Sequence, residues 1–190
     1  NNITFLVDES FVDFADDADG ATLLDRPLLR DNKHLIVMKS ISKSYGVPGL
    51  RLGILASGDV ELIKRMKKDV SIWNINSFGE FYLQIYGKYE KDYKLACVDF
   101  RNERNRFMNE LSKIDGIRVL PSQANYFFLE VLPPYKPKEL CSIHLEKYNI
   151  LASACLAKKG IEPNRYMRIA VRNHGDNEKF IKAMNELVKD

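Results

Sequence analysis

The sequence has 190 residues, of which 45% are hydrophobic and 29% charged, with a formal net charge of +3. That profile is ordinary for a globular protein, and so small a charge gives no argument for nucleic acid or a membrane surface as partner. No apolar run approaches the roughly 20 residues that a membrane span needs. The three scattered cysteines, Cys97, Cys141 and Cys155, form no CxxC pair and imply a reducing, cytoplasmic setting.

The chain opens Asn1-Asn2 without Met and enters an apolar run at once, so it is read as a piece of a longer protein. Ile3 to Val7 is a continuous apolar run ending at Asp8, the pattern of a buried strand in a parallel sheet. The acidic stretch from Asp13 to Asp25 reads as loop, and Leu23 to Arg30 as a short helix. His34 to Met38 is a second buried strand and Leu52 to Ala56 a third. The loop between them carries Gly46, Pro48 and Gly49. Val60 to Val70 reads as a helix with Asp59 as its N-cap.

From Phe78 the period changes. Phe78, Phe81, Tyr82, Ile85, Tyr86, Tyr89 and Tyr93 recur at helical spacing, and the pattern continues with a possible break to about Lys113. Gly116 is expected to close this helix as a C-terminal glycine. Ile117 to Leu120 and Asn125 to Val131 read as strands, Pro137 to Tyr148 as helix, and Ile150 to Ala154 and Tyr166 to Val171 as short strands. Asp176 to Val188 is a last amphipathic helix. The fold class is α/β: a parallel-sheet portion over residues 1–95, then a small α+β domain over residues 96–190, with the boundary inside the long helix.

The stretch Ser40-Ile41-Ser42-Lys43-Ser44-Tyr45-Gly46-Val47-Pro48-Gly49-Leu50-Arg51-Leu52-Gly53 carries the chemistry. Ligands of open α/β sheets gather at the carboxyl ends of strands, and Lys43 lies just beyond such an end. A lysine amine there can form a Schiff base with a carbonyl. Ser40, Ser42 and Arg51 have the donors to hold a phosphate. Taken alone, SxSK also reads as an ordinary solvated loop. His34, His144 and His174 lack metal-ligand spacing and read as surface or second-sphere residues, with no metal site expected.

The full string SxSKxYGxPGLRLG resembles the lysine motif of fold-type-I pyridoxal-phosphate (PLP) enzymes of the class I/II aminotransferase branch, most of all histidinol-phosphate aminotransferases and threonine-phosphate decarboxylases. The resemblance implies pyridoxal 5'-phosphate as cofactor. Lys43 would bind it covalently and shuttle the substrate proton, while Ser40 and Arg51 would bind its phosphate. Val7-Asp8-Glu9-Ser10-Phe11 resembles the family's pyridine-binding segment, with Asp8 holding the ring nitrogen protonated. Phe11 is a departure, because the family usually has tyrosine there, bonded to the cofactor's phenolic oxygen. Losing such a bond costs about 1 kcal/mol.

Tyr166-Met167-Arg168-Ile169-Ala170-Val171-Arg172 resembles the strand whose arginine grips the substrate carboxylate. Arg168 is the assignment, with Arg172 the lesser choice, and Asn125 resembles a position at the mouth of the active site. The resemblance covers only the second half of the family's length. It implies an aminotransferase that moves an amino group from an amino acid, which can carry a phosphate, to a 2-oxo acid. The full-length protein is expected to be a homodimer, and the isolated chain to be inactive. The alternatives are an amino-acid-phosphate decarboxylase and a non-catalytic interaction module.

Overall fold

The computed structural model describes residues 3–156 and 159–189. The chain forms two compact units, residues Asn1–Val98 and Asp99–Asp190.

The first unit is built on a three-stranded sheet in the order β1-β2-β3. Strands β1 (Phe5–Asp8) and β2 (Leu35–Ser40) run parallel, with Phe5 opposite Leu35 and Asp8 opposite Met38. Strand β3 (Gly53–Ser57) is antiparallel to β2, with Ser40 opposite Gly53. The parallel pairing expected from the apolar runs is present in β1 and β2, and β3 makes the sheet a mixed one. A parallel return needs a crossover, usually through a full helix. The segment between β2 and β3 holds only α3 (Ile41–Ser44) and a 3-10 turn at Pro48–Leu50. Ile41 N donates to Leu52 O at 3.3 Å, so this segment closes on itself beside the end of β2.

The reading of β1 as a buried strand is also corrected. Phe5 and Leu6 are exposed, because the described residues put too little structure over them. Between β1 and β2 the acidic stretch is not wholly loop. It contains a 3-10 turn at Val12–Phe14 and α1 (Ala18–Ala21), the latter capped by Asp17 accepting from Gly20 N at 2.9 Å. Helix α2 (Arg26–Asp31) starts where Asp25 accepts from Leu28 N, with a proline in its first turn. Helix α4 (Val60–Asp69) is capped by Asp59, which accepts from Leu62 N. Asn76 caps α5 (Ser77–Tyr86) in the same way through Gly79 N. The long aromatic period does break: the chain turns at Gly87 before α6 (Glu90–Leu111), and the two units part inside α6.

The second unit is one antiparallel sheet, β4-β5-β7-β6, with helices on one face. Its strands are β4 (Ile117–Leu120), β5 (Tyr126–Val131), β6 (Ser153–Ala154) and β7 (Tyr166–Ala170). The helices that follow β5 and β7 are α7 (Pro137–Tyr148) and α8 (His174–Lys189). Strand β6 keeps only two of the five residues expected. Side chains alternate across a strand. Phe127, Leu129 and Val131 of β5 and Met167 and Ile169 of β7 therefore face the core with Leu111, Leu140, Phe180 and Met184. The Phe107 ring meets Phe127 edge-on at 5.8 Å and Phe180 at 6.1 Å. Residues of the other parity, Tyr126, Phe128, Tyr166 and Arg168, lie on the sheet's opposite face.

Gly116 is not a helix cap. It precedes β4, where a Cβ would stand 2.6 Å from the Val188 side chain and 3.1 Å from Tyr135, so close approach excludes a larger residue. His144 is not a surface residue either, being wholly buried. Its Nδ1 lies 2.7 Å from Leu140 O, which can only accept, so Nδ1 carries the proton. Its Nε2 is buried with no hydrogen-bond partner among the described residues, and the ring stacks on Phe180 at 4.9 Å.

Burial lowers the pKa of His144, so the unfolded chain takes up this proton first. Its stabilising contribution is full above the unfolded value of about 6.5 and is lost as pH falls below it. Glu103 acts in a lower window. Bonds from Arg106 hold its carboxyl at about 2 instead of 4.5, so that contribution fades only as pH falls from the second value toward the first. The urea midpoint should therefore fall between about pH 7.5 and 5.5 in the parent, and fall less in His144→Leu. An equal slope in the two would exclude His144 as the cause. Truncating the aromatic core by Phe127→Ala should cost roughly 3–5 kcal/mol in the same measurement.

Candidate active site

The parallel pairing of β1 and β2 sets their carboxyl ends side by side. Asp8 ends β1, Ser40 ends β2, and Lys43 follows in α3. Ser10 knits these ends together. Its backbone N and its Oγ both donate to Asp8 Oδ1, at 2.9 and 2.5 Å, and its Oγ accepts from Ser40 N at 3.0 Å. The Ser10 bonds hold the Asp8 carboxyl below its ordinary value, and the Lys43 charge adds to this. Asp8 is thus an ionised carboxylate at a strand end, suited to pair with a protonated ring nitrogen.

Lys43 is exposed, and its Nζ sits 4.2 Å from the centroid of the Phe11 ring. An ammonium over an aromatic face is held by the ring quadrupole. The structure therefore brings Asp8, Phe11, Ser40 and Lys43 into one place. Ser42 is different. It is buried and its Oγ donates to Leu52 O at 3.4 Å, so it closes the loop instead of facing a ligand. Arg51 is exposed in a left-handed conformation with φ 57°, and its Nη1 donates to Pro48 O at 3.3 Å within its own loop.

Arg168 and Asn125 belong to the second unit. Arg168 lies on the sheet face opposite the helices, 5.2 Å from the Tyr126 ring. Arg172, the lesser choice, is paired with Asp176 at 2.8 Å. Asn125 O accepts from Val171 N at 2.9 Å, which fixes Asn125 beside the end of β7. The corner between β7 and α8 is braced by Asn177. This buried side chain donates to Arg172 O and Glu103 and accepts from Arg172 N.

Sequence reasoning passed over three residues around Lys43. Lys39 is a buried lysine in β2 whose Nζ donates to Asp13 Oδ1 at 2.5 Å. Ser44 Oγ donates to Asp13 Oδ2 at 2.6 Å. The signal was present as a charged residue closing an apolar strand, and as an acidic residue between Val12 and Phe14. On the other side, Tyr45 stacks on Tyr93 at 4.2 Å and meets Tyr86 at 5.2 Å, and burial pushes its phenol above the ordinary range. Among the described residues no cluster could hold a metal, and no helix is long and apolar enough to cross a membrane.

A family model for aminotransferases of class I and II matches residues 1–185. The chain belongs to this family. It is 33% identical over 187 residues to the CMP-5'-(3-aminopropyl)phosphonate synthase of Streptomyces rubellomurinus, covering 98% of the chain and 29% of that protein. It is 32% identical over 188 residues to the L-serine phosphate decarboxylase of Sulfurospirillum multivorans, covering 97% and 47%. The solved histidinol-phosphate aminotransferase of Clostridium acetobutylicum superposes with a TM-score of 0.84 at 25% identity, covering 98% of the chain and 54% of that structure. The chain thus spans about half the length, or less, of the relatives it matches.

The cofactor of this class I/II family is pyridoxal 5'-phosphate, and the residues present fit it. The exposed Lys43 amine can condense with its aldehyde, and the ionised Asp8 suits its ring nitrogen. Ser40 and the free edge of the Arg51 guanidinium have the donors a phosphate needs. Borohydride treatment of the chain with pyridoxal phosphate should fix one adduct on Lys43. Its absorbance should vanish in Lys43→Ala, and an equal adduct in that variant would show that other lysines account for the signal.

Proposed function

We propose that the whole protein is a pyridoxal-phosphate enzyme acting at Cα of an amino acid that carries a phosphate or phosphonate, and that the bond it breaks leads to the carboxylate. The contact of Lys43 Nζ with the Phe11 ring carries this reading. It puts an apolar face at the amine, where the resemblance expects a tyrosine hydroxyl. Without that hydroxyl the site departs from the aminotransferase pattern at the cofactor's phenolic oxygen. Decarboxylases of serine phosphate and threonine phosphate at 32% and 31% identity support the same reading.

When bound, the cofactor supplies an electron sink for the pair left at Cα. Asp8 keeps its ring nitrogen protonated. Lys43 would hold it covalently, and its amine would carry the proton at Cα. Ser40 and Arg51 hold its phosphate, Arg168 orients the substrate carboxylate, and Asn125 stands at the mouth. These roles extend over two domains, residues 1–95 and 96–190. A homodimer is carried by the family resemblance, and a cytoplasmic setting by the scattered cysteines.

Transamination to a 2-oxo acid is the second reading, favoured by histidinol-phosphate aminotransferases at 27% and 30% identity. The full-length protein, given O-phosphoserine, O-phosphothreonine or histidinol phosphate with and without 2-oxoglutarate, separates the two. Amine and carbon dioxide released without the 2-oxo acid support decarboxylation. Glutamate formed only in its presence would replace that reading with transamination. The 190-residue chain alone should show neither product.

A further inference from the structure

We propose that Asp13 is a positioning residue for Lys43, acting through Ser44 and through the turn that carries Phe11. The inference rests on the reading that Lys43 binds the cofactor.

Helix α3 has only four residues and no side-chain cap at its start. So short a helix has no stability of its own, and Lys43 depends on outside anchors for its direction. Asp13 supplies one. It sits in the 3-10 turn Val12–Phe14, and its two carboxylate oxygens accept from residues on either side of Lys43. Lys39 Nζ binds Oδ1 at 2.5 Å and Ser44 Oγ binds Oδ2 at 2.6 Å. One carboxylate thus brackets the chain from residue 39 to residue 44.

Lys39 makes this bracket stiff. Its side chain is only 9% exposed and that of Asp13 16%, so the pair is largely dry. Parting two such charges leaves each without compensation, which is costly. Asp13 is therefore held on Lys39, with its second oxygen aimed at Ser44. The same segment places Phe11 under the amine, 4.2 Å from Nζ. The residue after Lys43 and the ring beneath its amine are held by one short stretch of chain.

Lys43 has a long side chain with several rotatable bonds, so its amine reaches a fixed point over the Phe11 ring only if its backbone is fixed as well. Bond-making depends on placement to within a fraction of an ångström. The Tyr45–Tyr93 stack is a separate anchor beyond Ser44, so losing the Ser44 bond loosens the turn without releasing it.

Ser44→Ala removes one bond and leaves the Lys39–Asp13 pair intact, while Ser44→Thr keeps a hydroxyl. Two measurements on the 190-residue chain read the consequence. Backbone amide exchange over residues 41–46, without cofactor, reads the turn itself. The share of borohydride-fixed pyridoxal phosphate found on Lys43, against all other lysines by mass spectrometry, reads the placement of the amine. In Ser44→Ala the exchange should quicken and the Lys43 share should fall, each by about five-fold, the effect of one hydrogen bond. Ser44→Thr should restore both. Unchanged exchange would overturn the bracket. Faster exchange with an unchanged Lys43 share would reduce Asp13 to a structural role and overturn the proposal. A parent chain that shows no preference for Lys43 while its exchange responds would leave the bracket standing and remove the reading of Lys43, and the positioning role with it.

Discussion

The parallel pairing of β1 with β2 is the constraint on which the rest of the site depends. Parallel neighbours end at the same edge of a sheet, so the residues after their last rungs become neighbours in space. Asp8 stands opposite Met38 at that edge. From there only Ile41 and Ser42 separate Ser40 from Lys43. Ser10 locks the edge by bonding Asp8 and the Ser40 amide together. Without this pairing, an acidic residue and a lysine far apart in sequence would have no common site.

The second unit solves a different problem. It carries Arg168 on an exposed sheet face above a packed core. Alternation along β5 and β7 sends Phe127, Leu129, Met167 and Ile169 into the core and leaves Arg168 on the other side. The rigidity comes from ring packing around Phe107 and from buried polar anchors. Glu103 gathers bonds from Arg106, Asn177 and His174, so one carboxylate ties α6 to the start of α8. A carboxylate held so far below its ordinary pKa remains charged through the neutral range, and the brace holds with it.

The motif residues were legible because their chemistry is local. Hydroxyls, a lysine, glycines, a proline and an arginine in this fixed order are more than a solvated loop requires, and the family match over residues 1–185 agrees with that reading. Element types were legible wherever the period was long, as in α7, whose bounds Pro137–Tyr148 the pattern fixes at both ends. What could not be read was partnership. A continuous apolar run looks the same whether its neighbour runs parallel or antiparallel, so the antiparallel sense of β3 was not legible. Buried polar residues were equally silent. Nothing in the order of residues distinguishes His144, which stacks on Phe180 with an unpartnered Nε2, from a histidine at the surface.

The sequence by itself carried the resemblance to the family, and with it the cofactor and the lysine, aspartate and arginines proposed to serve it. The motif that carries the resemblance is a matter of side-chain identity and order, which are properties of the chain. The tertiary structure decided which of these residues meet, and it added Asp13, Lys39 and Ser10, whose roles exist only through contacts between distant segments. The division has a physical cause. Functional groups are fixed covalently, whereas a hydrogen bond or a buried ion pair depends on distances that only the folded chain sets.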